Sequence, residues 1–358
     1  MAYVGTEPAV DNPQAVCLGE TMAVLLPGHP GPTESVEEFR IAVGGAESNV
    51  ACGLAGHGIP TAWVSRVGDD GFGRRITSEL ASHGVDISAV AVDPVRPTGL
   101  YLKETHPHSR MRYYRAGSAA SALGLGTLTD PAVTQLLSGA RLLHLSGITP
   151  ALSADCFALV RALLGSRRPG LTVSFDLNWR PGLWRDRDPD VLLELANAAD
   201  LLLLGADEAE AAFGLVGHTA IRAAFPAPAT VVVKNSEHQV VALHSDGTAV
   251  SEPALAVEVV EPTGAGDAFA AGYLAATLRG LDQRSRLRLG HLTAATALTT
   301  RGDHGTPHSA ELTTALLAAT PDEWAATRVT AAVVHSPALP RPRTSTRPTP
   351  TQSGSTRP

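Results

Sequence analysis

The chain has 358 residues, 44% of them hydrophobic and 18% charged, enough for one large domain or two ordinary ones and unlike a wholly disordered chain. Its net charge of -7, with four arginines and no acid in residues 335–358, leaves an acidic body and argues against a nucleic-acid partner. The longest apolar runs, such as 201–204, are too short to span a bilayer, and Cys17, Cys52 and Cys156 are too few and too unpatterned for a disulfide framework, which fits a reducing cytoplasm.

Residues 1–14 read as a loose leader, with no basic region and apolar core of a secretory signal. A strand is expected at 15–20 and a helix at 47–57, with an alternating segment at 20–45 between them. Strand 61–67 and helix 73–83 follow, then a second alternating, aromatic-bearing segment at 96–116. Strand 141–147, helix 154–164, strand 171–178, helix 191–198, strand 200–204 and helix 207–213 continue the alternation. Strands 230–234 and 239–244 precede helices 266–278, 283–300 and 310–319. Near-continuous apolar strands alternating with helices predict a mostly parallel sheet covered on both faces, a three-layer α/β/α sandwich, with ligands at the carboxyl ends of the strands. The segments at 20–45 and 96–116 read as short antiparallel strands forming a small β-lid over that edge. One large body is expected over 15–320, a C-terminal extension over 321–336, and a disordered Pro/Thr/Arg-rich tail over 337–358.

Two glycine-rich segments carry the chemistry. In Glu261-Pro-Thr-Gly-Ala-Gly-Asp267 the glycines open an amphipathic helix, so backbone N–H groups beside the positive helix end form an anion hole suited to a moving phosphoryl group. Asp267, in the first turn, is placed to take a proton from a substrate hydroxyl. The plainer reading is a glycine turn with an ordinary first-turn acid, and no Gly-Lys-Ser/Thr makes it a Walker A motif. In Val43-Gly-Gly-Ala-Glu-Ser-Asn-Val50 the glycines let backbone approach a polyhydroxylated ligand, with Asn49 at hand to hydrogen-bond; the plainer reading is a strand-to-helix loop.

Together these segments, GGAESNVACGLAGHGIP with VSRVGDDGFGRRI downstream and EPTGAGDAF, resemble the PfkB/ribokinase family of carbohydrate kinases over residues 15–320. The resemblance implies a ribokinase-like α/β/α sandwich with a β-lid, Asp267 as catalytic base, and Gly264, Ala265 and Gly266 as the anion hole. The strings GLYLKE (99–104), YYRAGSAASAL (113–123), HLSGITPALS (144–153), FDLNWRPGLW (175–184) and TRGDHGTP (300–307) are similar to the 2-keto-3-deoxygluconate kinase branch. That similarity implies phosphorylation of the 6-hydroxyl by ATP, with the sugar acid held by Gly45, Tyr101, Tyr113, Arg115 and Arg180. Arginine is the best partner for a carboxylate, which agrees with such a substrate. The bland alternative packs Tyr101, Tyr113 and Tyr114 into the lid and leaves the arginines solvated.

On the nucleotide side the resemblance implies ATP contacts from Lys234, Ser236, Gly264 and Gly266, and water-mediated magnesium at Glu208. Glu208 reads equally as a charge complementing a helix N-terminus. Three positions depart from the family pattern: Gly205 stands for the Asn of Asn-x-x-Glu, Ser236 for the Gly of Lys-x-Gly, and Glu261 for the usual Asp. The last leaves dependence on a monovalent cation such as potassium open. His304 and His308 receive no metal role. The partners expected are a small sugar acid and ATP, without nucleic acid or membrane, and self-association is left open. A neutral-sugar kinase such as a fructokinase, or a sensor that kept the pocket without turnover, are the alternatives.

Overall fold

The runs LLLLG at 201–205 and TVVVKN at 230–235 are apolar without alternation, as strands buried on both faces must be. In the computed structural model, which describes residues 13–29, 31–104, 110–166, 168–185, 187–235, 239–300, 305 and 307–339, both lie inside a nine-stranded sheet. Its order is Ala249–Pro253, Gln239–His244, Thr230–Asn235, Leu201–Gly205, Thr172–Asp176, Leu142–Ser146, Ala15–Leu18, Thr61–Gly68, Val90–Asp93. Neighbours from Thr230–Asn235 to Val90–Asp93 are parallel, and the two strands at the other edge run antiparallel.

Side chains alternate between two cores, as the strand period of two requires. Val16, Leu18, Leu202 and Leu204 face one core, under helices Pro131–Gly139, Ala154–Gly165 and Pro189–Asn197. Ala15, Cys17, Leu201 and Leu203 face the other, under Ala46–Gly56, Gly71–Ser82, Ala265–Leu278 and Gln283–Leu298. Helix Ala265–Leu278 is buried over nearly its whole length, because its alanines and glycines let neighbouring helices approach from several sides. Among the described residues no helix is long and apolar enough to cross a membrane.

The lid segments form one four-stranded sheet in the order Phe39–Gly44, Met22–Pro27, Leu100–Glu104, Arg110–Tyr114. It is not wholly antiparallel as expected. Its central pair, Met22–Pro27 with Leu100–Glu104, is parallel, because a long crossover through the main sheet separates the two strands. Met22, Val24 and Tyr101 form its small apolar core.

The ends of the chain differ from the sequence reading. The amide of Gln14 donates to the Pro60 carbonyl, so the first strand is anchored within the expected leader; residues 1–12 lie outside the described residues. Residues 321–336, expected as an extension, dock on the body. Trp324 is fully buried and donates to the Pro253 carbonyl, with Arg288 4.8 Å above its ring. Arg328–Val329 pairs with Ala256–Val257 and Val334–His335. Leu339, expected in the disordered tail, packs on that cluster, and residues 340–358 lie outside the described residues. Strand Ala249–Pro253 escaped the sequence reading because as a half-exposed edge it lacks an apolar run, and strand Val90–Asp93 because its apolar stretch is short.

Candidate active site

Gly264 takes the left-handed conformation, φ +80°, that a side chain would strain. This turns the chain into helix Ala265–Leu278 and leaves the first-turn amides without intrahelical acceptors. Asp267 stands among them, half-buried at the carboxyl ends of the main strands. Both its oxygens are held by amides: Asn49 Nδ2 donates to Oδ2 at 2.9 Å and Asn178 Nδ2 to Oδ1 at 3.4 Å. Burial raises its pKa to about 7, with Asp176 adding to the rise and the Asn49 bond, Lys234 and Arg180 opposing it. A carboxylate poised near neutrality suits a general base.

A cavity of about 290 Å³ opens over Asp267. It brings together Gly45, Asn49, Tyr101, Tyr113, Arg115, Arg180, Gly264 and Asp267, drawn from both sheets and both glycine-rich segments. Gly45 is extended, so its requirement is close approach: a Cβ there would lie 2.4 Å from the Glu20 carbonyl oxygen. Asn49, expected to address the ligand, directs its amide to Asp267. Tyr101 is buried with its ring 5.4 Å from that of Tyr113. Tyr113 and Tyr114 are both exposed, but only Tyr113 lines the cavity.

The two arginines differ. Arg115 is 8% exposed, its Nε donating to Glu20 Oε2 at 2.6 Å and its Nη2 also contacting that oxygen. Ser118 donates to the other Glu20 oxygen, and the guanidinium lies 5.5 Å from the Tyr113 ring centre. The Arg180 side chain is 43% exposed, donates to the Trp179 carbonyl and reaches Glu208 only at 4.0 Å.

Across the start of helix Ala265–Leu278 lies a second cavity of about 200 Å³, mostly apolar, lined by Lys234, Gly266, Leu255, Phe269, His291 and Leu298 among others. Lys234 Nζ lies 2.9 Å from Asp176 Oδ2 and within 3.7 Å of where a Cβ on Gly266 would stand. Glu208 is occupied locally: Oε2 accepts the Gly205 amide and Oε1 the Trp179 amide, and burial raises its pKa against the opposing field of Lys234. It therefore does serve as a helix-start acid. Gly205, in the position of the pattern's Asn, has its amide on that carboxylate. Ser236 and His304 lie outside the described residues, His308 contacts Thr296, and among the described residues no cluster of three His, Cys, Asp or Glu could hold a metal.

Two residues were missed by sequence reasoning. Glu20 ends the stretch called as the first strand, and its position at a strand carboxyl end was the available signal. Asn178 stood inside FDLNWRPGLW without a role; it takes φ +43°, and its buried Oδ1 has no partner among the described residues. That conformation is a strained one for a non-glycine residue and is held by its neighbours.

The sequence profile of pfkB family carbohydrate kinases matches residues 12–309. The chain is 34% identical over 308 residues to a 2-dehydro-3-deoxygluconokinase of Thermoproteus tenax, covering 84% of this chain and 93% of that protein. It is 35% identical over 303 residues to the 2-dehydro-3-deoxygluconokinase of Bacillus subtilis strain 168, covering 81% and 90%. The crystal structure of a PfkB protein from Polaromonas sp. JS666 superposes with a TM-score of 0.74 at 33% identity, covering 84% of this chain and 99% of that one. A ribokinase-like fold, a glycine-started helix presenting an amide-clamped carboxylate, and a profile match spanning most of the chain place this protein in the pfkB family of carbohydrate kinases.

Proposed function

We propose that the protein transfers the γ-phosphoryl group of ATP to the 6-hydroxyl of 2-keto-3-deoxygluconate, giving 2-keto-3-deoxy-6-phosphogluconate. The observation that carries this reading is the shared cavity of Asp267, Arg115 and Arg180, a base and two guanidinium groups in a space of about 290 Å³. The arginines face the sugar acid's carboxylate, and Arg180 is the one whose charge is least compensated. Tyr101 and Tyr113 offer flat faces and hydroxyls to the carbon chain. Asp267, held at both oxygens, accepts the proton of the 6-hydroxyl as that oxygen attacks phosphorus.

The first-turn amides at Ala265 and Gly266 stabilise the charge developing on the phosphoryl oxygens, and Lys234 stands beside them. The apolar second cavity suits the adenine of ATP. Magnesium, when bound with the nucleotide, supplies charge neutralisation of the phosphates. Asp176 and Glu208 beside Lys234 fit a water-mediated ion, since the Glu208 oxygens already accept backbone amides. Three buried free cysteines fit work in a reducing cytoplasm.

Coupled ATP-turnover assays with 2-keto-3-deoxygluconate and with fructose test the reading, with the product identified by phosphorus and carbon NMR. Preferred turnover of the keto acid at its 6-hydroxyl is the expected result. Preferred turnover of fructose would move the protein to the neutral-sugar kinases, and tight keto-acid binding without turnover would make it a sensor.

A further inference from the structure

The chain has two lysines against 26 arginines, and both lysines sit on carboxylates beside the start of helix Ala265–Leu278. Lys234 belongs to the nucleotide side. Lys103 belongs to the small sheet, on strand Leu100–Glu104, two residues beyond Tyr101 and therefore on the same strand face. Its Nζ donates to Glu261 Oε2 at 2.5 Å. The other Glu261 oxygen accepts both the amide and the hydroxyl of Thr263, at 3.2 and 2.7 Å. Thr263 lines the sugar cavity and directly precedes Gly264. From the opposite side, the amides of Val260 and Glu261 donate to the Leu298 carbonyl, the last residue of helix Gln283–Leu298.

Resting on the kinase reading above, we propose that the Lys103–Glu261 pair fixes the phosphoryl-transfer loop to the sugar-binding sheet, making Lys103 a positioning residue for the anion hole. Glu261 folds the turn around its own carboxylate, and Lys103 ties that folded turn to the strand carrying Tyr101. The side chains are 17% and 25% exposed, so the pair is shielded more than a surface ion pair and holds its geometry better. A compact ammonium on a flexible stem reaches a carboxylate already used by two other donors; a planar guanidinium demands a wider approach. A cavity of about 480 Å³ lined by Lys103, Glu261 and Thr263 opens the pair to small solutes.

The test is chemical rescue of the full-length Lys103→Ala enzyme, with Lys103→Met as the variant that keeps the apolar stem. Either change should lower kcat about tenfold and move the sugar-acid KM less than about twofold, the split expected when positioning rather than binding is lost. Propylammonium should restore much of kcat to the alanine variant, whereas tetramethylammonium, which has no N–H, should not at equal ionic strength. Without substrates, amide exchange over residues 260–268 should be faster in both variants than in wild type. Wild-type kcat in both variants, or a loss that propylammonium leaves unrepaired, overturns the proposal. Wild-type enzyme that fails to phosphorylate the keto acid overturns the kinase reading instead. Amide exchange then decides the pair alone: faster exchange upholds it and unchanged exchange overturns it.

Discussion

The two walls of the sugar cavity carry the same side chain in opposite physical states. On the small-sheet wall Arg115 is buried and neutralised by Glu20, which Ser118 holds in turn. On the main-sheet wall Arg180 is half-exposed, and among the described residues its ion-pair partner Glu208 is 4.0 Å away. A cation that already shares a buried carboxylate has given part of its field to the protein. A cation still facing water has kept its field for the ligand, and loses that water only when the ligand arrives. On the proposed function, Arg115 therefore shapes the wall and Arg180 is expected to supply most of the discrimination in favour of an acid.

That contrast depends on Asp267 being the reacting base, and breaking the base should give the largest effect. Asp267→Asn keeps the shape but sets an NH2 against one of the two amide donors and cannot accept a proton; kcat should fall by roughly two to four orders of magnitude with ATP and sugar-acid binding retained in calorimetry. Unchanged turnover would detach both walls from the chemistry. Next in size, Arg180→Ala should raise the KM for the keto acid by about one to two decades, since a hydrogen bond to a charged group contributes about 1.5–3 kcal/mol, while activity on fructose stays as it was.

The pH profile sharpens the role of the floor between the walls. On the proposed mechanism Asp267 works as the carboxylate, and burial raises its pKa to about 7, so kcat/KM should fall about tenfold per pH unit below that point and level off above it. Linkage has the opposite sign for stability. A carboxyl group whose folded pKa is raised contributes stability at low pH, and this is lost as pH rises through about 7. Asp267→Asn should accordingly gain Tm relative to wild type between pH 5 and 8.

Arg115→Ala should raise the keto-acid KM less than Arg180→Ala does, and it should lower stability by about 3–5 kcal/mol because Glu20 is left buried without its cation. Arg115→Ala combined with Glu20→Gln should recover part of that stability in urea unfolding. Equal KM effects from the two arginines, without loss of stability in the Arg115 variant, would erase the difference between the walls. Potassium should matter least: Glu261 is already occupied by Lys103 and Thr263, so titrating KCl at constant ionic strength should change turnover only modestly.

Much of the architecture was legible because strands buried on both faces and glycine-started helices have local causes. Leu201–Gly205, Thr230–Asn235 and Gln239–His244 are apolar runs, and Gly264 marks its helix start by a conformation other residues avoid. Helix Pro131–Gly139 was also readable and was overlooked: Asp130 caps it and Pro131 opens it. The partners in the site were a different matter. Glu20 and Arg115 are 95 positions apart, Asn178 and Asp267 are 89 apart, and Asn49 and Asp267 are 218 apart.

By itself the sequence determined the layers, the two glycine-rich turns and the residue types available for phosphoryl transfer to an acid, because periodicity, turn conformation and charge are written within short windows. The tertiary structure alone decided which arginine is neutralised, which amides hold Asp267 and what occupies Glu261. Those outcomes depend on distances between segments remote in the chain, set by how the two sheets and the helix Ala265–Leu278 pack together.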